Sequence, residues 1–505
     1  MVRSFLPSLP RKVCITGARG MVARASRTAP PPLPKTSPKH LIQQVLSQAL
    51  SDAHLDLSDL DGLVAVPSLT EPHFMEAHYQ ATNLGLFEQE SKKVGATSTL
   101  GAPSTARTSS STSSCSSGRT LRVRTIDTGG AGPVSALLEA AQMIEHENCD
   151  VVAVVAGDTV GSLSSDDFLQ RADASCQNLE SPLPSPVIPN GYDLYTSFML
   201  NDDVSSRGTG RDTTVLTRDQ LRLVPVLESW HSSRLPEALM DRRLTLEEVR
   251  ASREVTKNIS LLECARRADG AAAIVLASTR YLLQHHKGSR DGGATFYDHG
   301  RVKSLPVLLG GGEASGPLYP PERINESHFG SCSDACQLAY EEASLSPTDI
   351  DFFGLYDCFP VCFVRALQAA GVLEKEQHAL RGCLTSSTAS SRTGGAYLER
   401  IYDEFRPQLS PTTRTAEEGS FDYRAFLKRF PINTHGGLLC FGAPWEVPAA
   451  FNVVEAVRQL TKSYEGTERQ IDNCRRALVY GNGGIRFVFS SSDHSVHRWS
   501  RPASR

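Results

Sequence analysis

ALSDAHLDLSDLD (residues 49–61) and AYEEASLSPTDID (residues 339–351) are two versions of one phrase, set a constant 290 positions apart. Each reads as the end of a helix, a turn, and an Asp–apolar–Asp approach to a strand, GLVAV at 62–66 and FFGLY at 352–356. Similar elements follow in both halves. RVRTIDTGGAG (122–132) leads to the helical pattern SALLEAAQMIEHEN and the strand VVAVVAG, while FPINTHGG (430–437) leads to VPAAFNVVEAVRQL and ALVYGNGG. Each half is therefore strand, glycine turn, helix, strand. Short β-branched strands alternating with amphipathic helices predict a duplicated α/β fold, with helices and sheets in layers.

Working outward, the expected N-terminal half is 12–285 and the C-terminal half 286–505, with a long insertion at about 159–260. That insertion holds a Pro-rich turn, SPLPSPVIPNGY, and helical pieces such as TLEEVRASREV. Long insertions in α/β proteins often cover a site. Residues 95–120 are rich in Ser, Thr and Gly without apolar periodicity and read as an exposed or disordered loop.

The chain has 505 residues, is 40% hydrophobic and 21% charged, and carries a formal net charge of −4. That composition allows a large core and offers no phosphate-tracking surface, so nucleic acid is not an expected partner. No apolar run reaches the roughly 18 residues that span a bilayer. Twelve cysteines are scattered rather than framed as a disulfide scaffold. Cys332/Cys336 and Cys358/Cys362 lie four apart, but no histidine spacing accompanies them, so no metal site is expected. Before Asp52 the chain holds eight Lys or Arg and no acidic residue. A basic, acid-free start resembles a mitochondrial transit segment, expected to span 1–11. A basic first strand of the folded domain, in a cytoplasmic or peroxisomal protein, is the alternative.

Four places carry candidate chemistry. In FGLYDCFPVCFVRALQAAG (353–371) a strand ends at Tyr356-Asp357-Cys358 just before a helix, where sites of α/β proteins gather. In PINTHGGLLCFGAPWE (431–446) His435 precedes Gly436-Gly437, glycines that let backbone approach a ligand. In ALVYGNGGIRFVF (477–489) Gly481 and Gly483 interrupt a strand and expose amides that can donate to an oxyanion. TIDTGGAGPVSALLEAA (125–141) sets Gly130 among glycines at a helix N-terminus, another oxyanion site.

Together and in this order, these motifs resemble the thiolase superfamily, above all its sterol carrier protein-type members. YDCF is similar to the family's HDCF/YDCF signature, and INTHGGLLCFGAP to INxxGGxxxxGHP without a gap. The run from Trp230 to Ser278, ending in DGAAAIVLAS, resembles the segment that closes the first half. The resemblance covers nearly all of residues 12–490. It implies two similar α/β halves, a homodimer, and coenzyme A thioesters as substrates or ligands, with no other cofactor.

The departures matter most. The family's nucleophilic cysteine falls on Gly130 by gapless counting from Ile144 and Asp150, or on Asp127 in a shifted alignment; Cys115 lies upstream in the Ser-rich loop. The GHP histidine is Ala443, and the CxG cysteine is Val479. The resemblance gives Cys358 an acid/base role and Tyr356 the place of an oxyanion-donating histidine. The catalytic set expected is thus Cys358, Tyr356, Asp357, His435, Gly130 and Gly481, with Gly436, Gly437 and Gly483 lining the ligand. Without a thiolate there is no acyl-enzyme. The expected function is acyl-CoA binding in lipid metabolism with thioester-enolate chemistry, such as decarboxylation of malonyl-CoA, in which Cys358 delivers a proton. The alternatives are acyl-CoA binding without turnover, and a true thiolase with Cys358 as nucleophile.

Overall fold

The computed structural model describes residues 13–23, 36–87, 121–176, 183–201, 216–288, 297–298, 301–302, 305–316, 330–380, 393–408, 421–482 and 485–491. The expected transit segment, the Ser/Thr-rich loop 95–120 with Cys115, and Gly483 lie outside them.

Among the described residues nine strands form one sheet: β1 (Val13–Ala23), β2 (Gly62–Ala65), β3 (Arg122–Thr125), β4 (Val151–Thr159), β5 (Asp269–Ser278), β6 (Pro306–Glu313), β7 (Phe352–Gly354), β8 (Arg476–Gly481) and β9 (Ile485–Ser491). Their spatial order is β7-β8-β9-β6-β1-β5-β4-β2-β3. The first five strands in the chain lie on one side and the last four on the other, joined through the antiparallel β1–β6 pair. Within each side the pattern repeats: β2 is parallel to β4 as β7 is to β8. A fifth strand in the second half is reduced to a parallel bridge between Phe353 and Ile432, the counterpart of β2 with β3.

The helices complete the layers. Those that matter below are α1 (Pro38–Asp52), α2 (Gly132–His146), α3 (Val187–Asn201), α4 (Arg218–Ser232), α5 (Gly330–Ala343), α6 (Pro360–Ala369) and α7 (Pro448–Leu460). Leu41, Ile42, Val45, Leu46, Ala49 and Leu50 make one apolar stripe on α1, which packs on the outer face of β1, β4 and β5. Each such buried Leu or Ile contributes about 1.5–3 kcal/mol; a charge at Leu46 would break the stripe. Helix α5 covers β6 and β9 in the same way. Helix α2 is buried around most of its girth and lies with α7 between the two sets of strands, touching strands of both halves.

The repeat seen in the sequence is repeated atom for atom. Asp61 and Asp351 each accept two amides from the start of the neighbouring strand: Asp150 and Val151 at 2.7 and 3.0 Å, Arg475 and Arg476 at 2.9 and 3.1 Å. His54 and Ser344 both turn with positive φ, 53° and 54°. The first strand of each half is bulged, at Ile15/Gly17 and at Leu308/Gly310. A Cβ on Gly17 would overlap the Ala49 carbonyl, and one on Gly310 would stand 2.7 Å from the Ala343 amide nitrogen, so each bulge seats a glycine against its helix backbone.

One local expectation is corrected. The Pro-rich stretch expected as a turn becomes helix from Val187 onward. Pro189 sits in the first helical turn, where its missing N–H has no intrahelical partner to lose. Helix α4, in the same insertion, starts on a reciprocal cap between Thr217 and Gln220 and buries Leu221, Val224, Leu227 and Trp230 against the second half.

Candidate active site

The short strand β7 carries the chain into the middle of the molecule. A Cβ on Gly354 would stand 2.9 Å from Cβ of Asn452, so the strand lies directly against α7. Leu355 is then clamped by Asn433: its amide donates to Asn433 Oδ1 at 2.7 Å, and its carbonyl accepts from Nδ2 at 2.8 Å. Asn433 holds a positive φ of 47°, so the INTHGG turn is locked to the end of β7.

Asp357 closes that lock. Its two carboxylate oxygens accept the amides of Leu438 and Leu439, each at 3.0 Å. Gly437 has φ 61° and a Cβ there would lie 2.6 Å from Asp357 Cγ, so only glycine fits. Burial pushes the Asp357 carboxyl up to about 6, against the bonds that favour its charge. Burial beside Asp357 pushes Glu228 far higher, so Glu228 keeps its proton. Asp357 is thus committed to shaping the turn. A Cβ on Gly436, which has φ 103°, would stand 2.5 Å from Ser232 Cβ on α4.

His435 is buried on the far side of the same turn, edge-on to Phe441 with centroids 5.2 Å apart. Burial lowers its pKa to about 4, so the ring is neutral at pH 7. Its charged surroundings are Glu455, Arg469 and Arg458.

Gly130 faces Tyr356. A Cβ on Gly130 would stand 2.9 Å from Tyr356 Cε2 and would overlap Cζ and the hydroxyl. The tyrosine therefore fills the space that a side chain at this position needs. Burial holds its phenol well above the ordinary value, so it remains a hydrogen-bond donor. Gly481 comes to the same place: a Cβ there would be 2.8 Å from Ala131 Cα. Gly130, Tyr356 and Gly481, separated by hundreds of residues, converge at the first turn of α2. Asp127, the other residue aligned with the nucleophile, is exposed.

Cys358 lies next to this point, half-buried. Its thiol donates to Cys362 Sγ at 3.5 Å. Three residues that motif reading passed over frame the site. Tyr192, from α3, stacks tilted on Phe359 at 4.7 Å and accepts from Asn482 Nδ2 at 2.6 Å; that same amide lies 4.0 Å from Cys358 Sγ. Glu446, in the turn before α7, places its carboxyl beside the first turn of α2. Neighbours of recognised motifs were the only signal for Asn482 and Glu446; Tyr192 had none. Among the described residues no cluster of His, Cys, Asp and Glu is fit to hold a metal ion, and no helix is long and apolar enough to cross a membrane.

In chemical terms, two glycines and one protonated phenol come together at the first turn of α2, with the Cys358 thiol nearby. Such donors can hold an oxyanion.

Comparison with known proteins bears on the family and the fold. Residues 322–384 and 416–495 match the family described as thiolase C-terminal domain-like. Acetyl-CoA acetyltransferase of Methanothermobacter thermautotrophicus is 25% identical over 56% of this chain and 59% of its own length. Sterol carrier protein 2 of Bos taurus is 24% identical over 50% of this chain and 37% of its own. The chain thus spans between about two fifths and three fifths of these relatives. Among solved structures, the Ltp2–ChsH2(DUF35) aldolase superposes with a TM-score of 0.61 at 19% identity, over 96% of this chain and 99% of its own. Human mitochondrial 3-ketoacyl-CoA thiolase superposes with a TM-score of 0.56 at 13% identity, over 96% of this chain and 100% of its own. At these identities the superpositions speak to fold alone.

Proposed function

Since the chain belongs to the thiolase superfamily, as a relative of sterol carrier protein 2-type thiolases, we propose that it binds acyl-CoA thioesters and stabilises their enolates without forming an acyl-enzyme. One observation carries this reading. Gapless counting puts the family's nucleophile at Gly130, and the Tyr356 ring and hydroxyl occupy the space a side chain there would need. Claisen condensation and thiolysis both require a thiolate at that point. What remains is electrostatic.

In this reading the Gly130 and Gly481 amides and the Tyr356 hydroxyl donate to a thioester oxygen as it gains charge; the close approach of the three residues supports it. Removing one such donor from an oxyanion hole typically costs about 3–4 kcal/mol of transition-state stabilisation. In a β-carboxyl thioester such as malonyl-CoA, the bond from Cα to the carboxylate breaks and carbon dioxide leaves. The electron pair passes into the enolate, and Cα takes up a proton. Nothing in that sequence needs a nucleophile. Tyr192 of α3 stands beside Phe359 and Asn482 at the edge of this cluster.

The test is product analysis by chromatography with malonyl-CoA, run beside acetoacetyl-CoA plus CoA. Acetyl-CoA from malonyl-CoA alone supports the proposal. Acetyl-CoA from acetoacetyl-CoA plus CoA sinks it and points to Cys358 as nucleophile. Saturable thioester binding with no product from either assigns the protein to binding without turnover.

A further inference from the structure

Glu446 belongs to none of the signatures read in the sequence, yet its side chain reaches the first turn of α2. It lies in the Gly442–Val447 turn that opens α7. Because α7 and α2 run together through the centre of the molecule, the carboxyl crosses to the first turn of α2. There Glu446 Oε2 would stand 3.3 Å from a Cβ on Gly132, two residues beyond Gly130. Glu446 is also among the charges felt at the Tyr356 hydroxyl. A carboxyl oxygen therefore lies beside the first turn of α2, close enough for its charge to act on Tyr356.

That oxygen is buried and makes no hydrogen bond. Leaving a buried polar atom without a partner costs about 1–3 kcal/mol, so its persistence asks for a reason. The neighbouring carboxylate shows the contrast. Asp158, at the end of β4, accepts from the amides of Leu69, Thr70 and Thr159 and from the Thr70 hydroxyl. Asp158 is consumed by its loop, while Glu446 keeps one oxygen free beside the first turn of α2. The titratable groups around Glu446 are Asp127 before α2, Asp158 after β4, Cys176 in the insertion and Tyr356 after β7. None is a cation. Burial first, then Asp127 and Asp158, push its pKa up to about 8.

We propose that Glu446 is the catalytic acid–base of this site, the group that gives a proton to Cα of the thioester enolate and takes it back. The proposal rests on the enolate reading above and replaces Cys358 as the proton donor. In the forward direction the Glu446 O–H bond breaks, the enolate pair forms the Cα–H bond, and the carboxylate is reprotonated from water. In proton exchange the carboxylate removes a Cα hydrogen and returns a solvent one. A group that titrates near neutrality is suited to both directions.

The experiment is deuterium uptake at Cα of acetyl-CoA in heavy water, followed by mass spectrometry across pH, with wild type and Glu446→Gln. Thermal melting and acetyl-CoA affinity are measured on both to confirm folding and binding. Wild type is expected to exchange with a rate that rises with pH and levels off above about 8, following the carboxylate. E446Q is expected to lose about 100-fold or more and the pH break with it, at similar acetyl-CoA affinity. E446Q exchanging at the wild-type rate with the wild-type break overturns the assignment and leaves the enolate reading standing. No exchange by folded, ligand-binding wild type overturns both.

Discussion

The ring and hydroxyl of Tyr356 stand where a side chain on Gly130 would have to be. The two residues are 226 positions apart in the chain, and each explains the other. Glycine is needed because the phenol is there, and the phenol fits because there is no Cβ.

Restoring the cysteine alone will not restore a thiolase. Gly130→Cys is expected to lower the melting temperature and to give no acyl adduct with acetyl-CoA by intact mass spectrometry. The Gly130→Cys/Tyr356→His double variant frees the space and should carry one acyl group per chain. Tyr356→Phe keeps the packing and removes only the donor. Its turnover in the chemical step should fall by about 10²–10³, with thioester affinity little changed. An acylated single variant would show that Tyr356 does not fill the nucleophile's place.

Asp357 holds the turn that brings Gly436 and Gly437 beneath the site. Asp357→Ala would orphan the Leu438 and Leu439 amides and remove an acceptor of Asn433 Nδ2. At about 1–3 kcal/mol for each orphan, less what water recovers, a loss of about 3–5 kcal/mol is expected in urea denaturation. Asp357→Asn, which keeps one acceptor, should lose less. Equal stability of wild type and D357A would refute the clamp.

Two buried histidines set the acid limit. Burial lowers His231 to about 3 and His435 to about 4, from an ordinary 6.5. His231 Nδ1 accepts from the Tyr423 hydroxyl at 2.8 Å, and its Nε2–H donates to the Phe430 carbonyl at 3.0 Å. Both rings are neutral in the fold, and the unfolded chain binds protons first. Stability is therefore intact above about 6.5 and falls as pH drops toward 4. Each histidine contributes a slope of up to about 1.4 kcal/mol per pH unit. Melting temperatures from pH 8 to 4 should show this slope, and His435→Gln should flatten it. An unchanged slope in H435Q would mean that His435 is already protonated in the fold.

Bulge glycines should be far less replaceable than loop glycines. Gly17→Ala drives a methyl into the Ala49 carbonyl, whereas Gly85, with φ 68°, has open space around it. We expect Gly17→Ala to cost well above the roughly 1 kcal/mol of Gly85→Ala. Chemical denaturation of both variants checks this.

The fold was legible because its signals are local and duplicated. The paired phrase at 49–61 and 339–351 already contained Asp61 and Asp351, His54 and Ser344, each pair playing one structural part. The absence of a thiol at Gly130 was legible too. What filled its place was not, since a contact between positions 130 and 356 leaves no periodicity in either stretch. Glu446 escaped for a similar reason. A glutamate after tryptophan in a Gly–Pro turn looks like a solvated loop residue, and only the pairing of α2 with α7 turns it inward. Helix α3 was read as a turn because Pro189 and Gly191 are turn residues, yet the first turn of a helix tolerates proline.

The mutual fit of Gly130 and Tyr356 also acts as a ratchet. From this state, a cysteine at 130 meets an occupied space, and a smaller residue at 356 opens an unfilled hole in the centre of the protein. Each first step is harmful alone, and only a paired change keeps both positions packed.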